Sequence, residues 1–465
     1  MMVVSQLTHG MEATMFSLGK EAVALSRAQR LAAFYRIIPR EKVKQALHKT
    51  GRDRAYCKRV PGVFLVYFVL ALGLFCTDSY RQVFRWLKRW KQDSVPGRST
   101  LCEARQRLGV APLVVLAKDV IKPLASPDTP GAFYHGRRLM ALDGFVVDIP
   151  DMPVNDKVFG RPPGSRAPGA FPQVRIVALC EAGTHVMCNW LIKPLRVAEQ
   201  TMANWLLRFV GPGMLLLWDR NFLSYARVKT VKDQGAHLLA HVKKDLIFRV
   251  IKRFKDRSYL AKLYRNATDR KHDRDGIVVR IIDYTLNDPG RVGQGEKHRL
   301  LTTLLDPELD PARTLIELYH VRWEQELAID EIKTHQMERP VLRSQTPAGV
   351  VQELYSLLLD HFAVRTMMFE ASQQAQVSPV RISFTDTLKI LRCRIPECPR
   401  RRRARSKWWR DLVKEVAENV LPPRRNRINP RVIKRKMSKW KKKRPKHRPY
   451  PQPKRTFSEG IVMIG

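Results

Sequence analysis

Apolar and polar positions fall into three regimes along the chain. Up to about residue 115 the period is helical. Pro39-Arg40-Glu41-Lys42 opens a helix with an acid in its first turn. The stretch from Val60 to Cys76 is almost wholly apolar. A membrane span needs about 20 such residues, and Pro61 trims this one further. It therefore predicts a buried helix in a small helical domain. Ser79 to Trp90 reads as a basic amphipathic helix, and Val95-Pro96-Gly97-Arg98 breaks it. Ser99 then caps a helix from Thr100 that ends at Gly109.

From about residue 137 the period shortens to two. Arg138–Pro150 is strand-like. Val174–Cys180 and Thr184–Ile192 form a hairpin around Glu181-Ala182-Gly183. A helix from Glu199 to Phe209 follows. Gly213–Trp218 is a short, fully apolar strand of the kind found inside a sheet. A second helix runs to about Gln234, and His237–Val242 is the next strand. Three strands, helix, strand, helix, strand, helix is the order of a ribonuclease H-like α/β core. Residues 243–297 contain short β-like pieces, including Gly276–Tyr284, and read as a β-rich insertion. A strand over Leu300–Leu305 leads back to the core. Beyond about Arg392 the chain turns basic, with Arg400–Arg403, Lys434-Arg435-Lys436 and Lys441–Arg444 interrupted by prolines. The pattern divides the chain into a helical N-terminal domain (1–115), a ribonuclease H-like α/β domain (116–375, with the insertion at 243–297), and a basic, partly disordered tail (376–465).

Charge narrows the possible partners. There are 85 Lys and Arg against 43 Asp and Glu, a formal charge of +42. A chain this basic suits a polyanion, with double-stranded DNA first and an anionic membrane surface or the ribosome behind it. Arg81, Arg85, Arg98, Arg105 and Arg107 sit on the short N-terminal helices, where they are placed to read DNA; the plain alternative is a solvated basic face. The seven cysteines are scattered, and the Cys393–Cys398 spacing has no matching His or Cys pair, a poor zinc signature. The N-terminus shows no signal-peptide pattern. These features point to a cytoplasmic protein.

The chemistry concentrates in acids and in one segment. Asp143 lies mid-strand, Asp219 ends a buried strand, and Glu326 lies on a later helix. In a ribonuclease H-like sheet these three converge, and clustered carboxylates repel unless a divalent cation neutralises them. Mg2+, with Mn2+ as substitute, suits an all-oxygen site. Tyr319, Arg322, Glu326 and Lys333 sit at offsets 0, 3, 7 and 14. On a continuous α-helix these fall within roughly 60° of one another. Asp330 lies about 40° from Glu326 by the same arithmetic, so geometry leaves both open. Asp148 and Asp151 similarly accompany Asp143.

The spacing Tyr319–Arg322–Glu326–Lys333 resembles the Y-(2)-R-(3)-E-(6)-K signature of the DDE transposases of insertion sequence family 4. Asp143 in Leu-Asp-Gly and Asp219 in Asp-Arg-x-Phe match its acid contexts. Val158–Pro162, Phe171–Arg175 and Leu342-Arg343-Ser344 are similar too, and the likeness covers roughly residues 30–370. It implies cut-and-paste transposition in a bacterial cytoplasm, at the nucleoid. Asp143, Asp219 and Glu326 would be catalytic and metal-binding; Tyr319, Arg322, Lys333 and Arg220 would hold DNA phosphate. The partners implied are the element's inverted repeats and target DNA, with a homodimer in the synaptic complex. The resemblance selects Glu326 over Asp330. A catalytically inactive DNA-binding descendant is the alternative. Members that form hairpin ends carry a Trp in the insertion; residues 243–297 have none.

Overall fold

Helices and strands alternate along the chain in nearly the predicted order. The computed structural model describes residues 35–53, 60–87, 95–164, 168–243, 246–288, 294–399, 401–422, 432–433, 441–442 and 454–464. The chain forms two compact units. The first takes Met1–Gly131, Gly144–Glu199 and Glu326–Leu421; the second takes Ala132–Asp143, Gln200–Gln325 and Pro422–Gly465.

The first unit is mainly helical. Its centre is the long helix Pro347–Ala375, capped by the Thr346 hydroxyl, which accepts from Gly349 N, and started by Pro347. The apolar run folds as the helix Gly62–Leu74, buried along almost its whole length. Among the described residues no helix is long and apolar enough to cross a membrane. Among the described residues, Arg40–Lys49, Tyr80–Leu87, Arg98–Leu108 and Ala111–Val120 are the other N-terminal helices. Phe64, Phe68, Phe84, Leu101, Leu113, Met367 and Met368 share one core.

The C-terminal end of Gly62–Leu74 leaves carbonyls without helical donors. Guanidiniums supply them: Arg343 Nη2 donates to Leu72 O and Phe75 O (3.1 Å each), and Arg392 Nε to Leu74 O (2.8 Å). The first unit also holds the hairpin of β3 (Gln173–Glu181) and β4 (Val186–Pro194), at the predicted position.

The predicted tail does not begin at 376. Phe384–Arg394 and Arg402–Ala417 are helices, and Leu388, Leu391, Trp408, Trp409 and Leu412 join the first unit's core. The arginines of Arg402–Ala417 disguised an apolar stripe that has a core to bury against. The runs at 434–436 and 443–444, Arg400, and the end of the helix predicted to reach Trp90 lie outside the described residues.

The second unit is built on a sheet, whose first strand is the short β1 (Phe133–Tyr134), antiparallel to the start of the strand that follows it. The first half of β2 (Arg137–Asp148) pairs in parallel with β5 (Met214–Trp218), from Arg138 opposite Met214 to Leu142 opposite Trp218. β5 pairs in parallel with β6 (His237–His241). β6 continues antiparallel to β10 (His298–Thr302), then β9 (Ile277–Leu286), β8 (Tyr259–Leu263) and β7 (Val250–Arg253). The β-rich insertion thus extends the core sheet. Ile461–Met463 adds to β9, which gives the last stretch of the chain a folded role that its sequence does not announce.

Two expectations follow for the first unit. Gly73 faces Pro347–Ala375 so closely that an added Cβ would meet Asp360 Oδ2 and Ser356 Oγ at 2.5 Å and Leu357 N at 3.0 Å. Gly73→Ala should cost about 1–3 kcal/mol by overpacking, read as a lower denaturation midpoint. Burial holds the Asp360 carboxyl well above the usual range, with Ser356 offsetting only part of it. Folding therefore takes up a proton, and the contribution to stability is greatest below the unfolded pKa of about 3.9 and declines as pH rises towards the folded value. Asp360→Asn should flatten that decline in denaturation curves followed upward from about pH 4, where the unfolded carboxyl ionises; identical slopes would exclude it.

Candidate active site

The register of β2 against β5 is the starting point of the site. Leu142 lies opposite Trp218, and each is followed directly by an aspartate, Asp143 and Asp219. Neighbouring residues across a parallel pair point to the same face, so two adjacent strands present carboxylates side by side. Both are half-buried. Asp219 Oδ1 also accepts from Arg220 N (2.7 Å), which fixes the turn after β5 and leaves the Arg220 side chain exposed.

Sequence did not single out His241. Trp218 lies opposite Ala240 on β6, so His241 follows in the same row as Asp219. Its position at the carboxyl end of a parallel strand is the only sequence cue. Burial lowers its pKa, helped by His298, Arg220 and Arg322, while Asp219 pulls the other way.

Tyr319 is tied to this row. Its hydroxyl donates to Trp218 O (3.0 Å), the carbonyl just before Asp219, and its ring lies 6.2 Å from that of His241. Burial pushes its pKa up to about 12, with Asp219 adding to the rise and Arg322 opposing it. The Arg322 guanidinium stands 5.8 Å from the Tyr319 ring centre.

The expected single helix through these residues is broken into successive pieces of different winding. Ala312–Tyr319 is α-helical, His320–Arg322 a 3-10 turn, Trp323–Asp330 α-helical, and Glu331–Gln336 a π-helix. A 3-10 turn eclipses residues three apart, which puts Arg322 over Tyr319. The π turn then changes the winding before Lys333, so 3.6-residue arithmetic does not carry to it. Lys333 is exposed and Glu326 half-buried. Tyr319, Arg322, Asp143 and Asp219 belong to the second unit; Glu326 and Lys333 belong to the first. Among the described residues no three His, Cys, Asp or Glu side chains are grouped to hold a metal ion. The two aspartates, Asp143 within β2 and Asp219 just after β5, are oxygen donors, a donor type that fits a hard divalent cation.

The competing acids have local roles. Asp330 accepts from Thr334 Oγ1 and lies 3.6 Å from His335 Nε2. Asp148 accepts from Gln173 Nε2 (2.8 Å), and Asp151 pairs with Arg161.

Of the N-terminal arginines, Arg81, Arg85, Arg98 and Arg107 are exposed. Arg81 and Arg98 line a cleft of about 830 Å³ with Gln106, Phe171 and Arg339. Arg105 departs from expectation: it is 5% exposed and donates to Gln352, Tyr80, Ser344 Oγ (2.8 Å) and Gly349 O (2.7 Å). It bolts Arg98–Leu108 to Pro347–Ala375 and leaves no face for a base. Its helix position turns it inward, which charge alone does not reveal.

The parallel β2–β5–β6 order, with one aspartate directly after Leu142 and another directly after Trp218, is the arrangement expected of a DDE enzyme of ribonuclease H-like fold. Residues 134–361 match the transposase DDE domain, and residues 28–117 match the insertion element 4 transposase N-terminal domain. The chain belongs to the DDE transposases of insertion sequence family 4, and membership carries a divalent-metal requirement. It is 27% identical over 421 residues to the transposase InsG for insertion sequence element IS4 of Escherichia coli (strain K12), covering 86% of this chain and 91% of that one. It is 25% identical over 201 residues to the putative transposase InsZ of the same organism, covering 43% and 67%. A cryo-EM structure of a piggyBac transposase synaptic complex with hairpin DNA aligns over 85% of this chain and 86% of that one, at 11% identity and a TM-score of 0.44.

Arg105→Ala should destabilise the protein by about 2–3 kcal/mol through stranded partners, and leave the ratio of end-DNA to random-DNA affinity unchanged in the folded fraction. A selective loss of end preference at unchanged stability would return Arg105 to DNA reading.

Proposed function

We propose that this transposase cleaves DNA at the inverted-repeat ends of its element and joins them to target DNA, with Asp143, Asp219 and Glu326 as the catalytic carboxylates. The observation that supports the reading is the β2–β5 register, in which Leu142 lies opposite Trp218 and each is followed by an aspartate. Mg2+, replaceable by Mn2+, is the cation these oxygens would hold; when bound it supplies Lewis-acid activation at a phosphodiester. The protein's own part is placement. Tyr319 sets the carbonyl before Asp219, and Arg322, Lys333 and Arg220 offer cations to phosphates beside the cut. Arg81, Arg85, Arg98 and Arg107 present the N-terminal domain to DNA, for which groove entry by short helices is the model. Two copies would pair the ends in a synaptic complex, at the bacterial nucleoid.

The deciding experiment is nicking of an end duplex in Mg2+. Asp143→Asn, Asp219→Asn and Glu326→Gln should each reduce cleavage by a factor of about 100 or more while end binding stays within twofold. A variant that cleaves normally removes that residue from the site. Asp330→Asn is the control, expected near wild type; the reverse pattern would exchange the two assignments.

The cationic runs should add affinity without sequence preference. Neutralising Lys434, Arg435 and Lys436 should flatten the log–log salt dependence by about 0.9 for each phosphate they neutralise in the wild type, and weaken end and random duplexes alike. Neutralisation is the cleaner test than truncation, because Ile461–Met463 is part of the sheet. Loss of end preference alone would move sequence reading into this segment.

A further inference from the structure

We infer that Glu331 is a positioning residue for Glu326, a buried ionic clamp that fixes the turn on which the Glu326 helix ends. The inference rests on the proposal above that Glu326 is the third catalytic acid. Glu331 is 8% exposed, although it is a charged residue only five positions after Glu326. Both its carboxylate oxygens are held. His185 Nδ1 lies 2.8 Å from Oε1 and His361 Nε2 lies 3.0 Å from Oε2. Arg365 Nε donates to Oε2 at 2.9 Å, and Arg365 Nη2 to Oε1. Burial alone would raise this carboxyl, but Arg365 and the two imidazoles hold it well below the usual range, so it stays ionised.

Three features suggest that the clamp serves geometry. First, it anchors a π-helix, Glu331–Gln336, closed by Met337 N donating to Ile332 O (3.0 Å). Such turns are rare, and they concentrate at functional sites. Second, the other end of the same turn is held too: Gln336 Nε2 donates to Gly73 O (3.3 Å) and Leu357 O (3.0 Å). Third, His185 reaches Glu331 from the β3–β4 hairpin with φ at 60°, a left-handed conformation that an imidazole-bearing residue adopts at a cost. The clamp thus joins the hairpin, the long helix Pro347–Ala375 and the turn after Glu326, all inside the first unit. A catalytic acid tolerates little displacement, and a helix ending in an irregular turn needs such an anchor to present one.

The test uses the full-length protein and two readouts. Glu331→Gln keeps the shape and removes the charge. Hydrogen exchange on the DNA-free protein should show amides of residues 323–336 exchanging at least tenfold faster, with those of the helix 347–375 unchanged. Single-turnover nicking of pre-bound end duplex in Mg2+ should fall at least tenfold, with end-DNA Kd within twofold. Should Glu331→Gln fail to fold, Glu331→Gln combined with Arg365→Met removes the stranded guanidinium and is read in the same two ways, with the same outcome expected. Unchanged local exchange in a folded variant overturns the clamp. Faster exchange throughout the unit overturns it as well, because the group would then be a general stabiliser. Accelerated local exchange with undiminished nicking overturns the positioning role. If the wild-type protein does not nick at all, the assignment of Glu326 fails, and exchange still decides whether Glu331 holds the turn.

Discussion

The parallel register between β2 and β5 is the constraint on which the site depends. Side chains alternate along a strand, so a slip of one residue would send Asp143 to the opposite face from Asp219. Leu139 to Leu142 and Leu215 to Trp218 are all buried, and the observed register pairs the last residue of one apolar run with the last of the other, so that an aspartate follows each at the same level. The aspartates inherit their placement from hydrophobic neighbours. Tyr319 adds a second lock, because its hydroxyl takes the Trp218 carbonyl at the strand's end, where regular pairing stops.

Regular elements were legible where apolar pattern and local chemistry agreed. The buried helix after Pro61, the hairpin at 182–185 and the strand before Asp219 all fall where the pattern puts them. Agreement failed where the backbone departs from standard periods. The residues from Leu315 to Lys333 read as continuous helix, since 3-10 and π turns use the same residue types as an α-helix. Only the packed structure shows the change of winding, because Tyr319 and Glu331 are fixed by partners 101 and 34 positions away. His241 was hidden for a related reason: a lone histidine at a strand end acquires meaning only when its neighbouring strand ends in Asp219.

Charge misled in one consistent direction. In a chain of +42, arginine suggests a DNA-facing surface. Yet Arg105, Arg343, Arg365 and Arg392 spend their guanidiniums on helix ends and buried acids in the first unit. Arginine suits this use because its planar fork meets several acceptors at once and stays charged when buried. The same confusion concealed the helix Arg402–Ala417, whose Trp408, Trp409, Leu412 and Val416 are core residues set among cations.

It follows that the charge count and the electrostatic footprint are different quantities. Arg343, Arg365 and Arg392 lie against Glu353, Glu331 and Glu338, and that pairing reduces what they add to the field outside. Exposed cations such as Arg81, Arg85 and Arg98 are the ones a polyanion can reach directly. They lie on short elements whose outward faces are polar and whose inward faces fill the core. The buried arginines hold those elements still. Exposed cations on these packed elements can therefore present defined phosphate contacts, to which the cationic runs later in the chain add attraction without sequence preference.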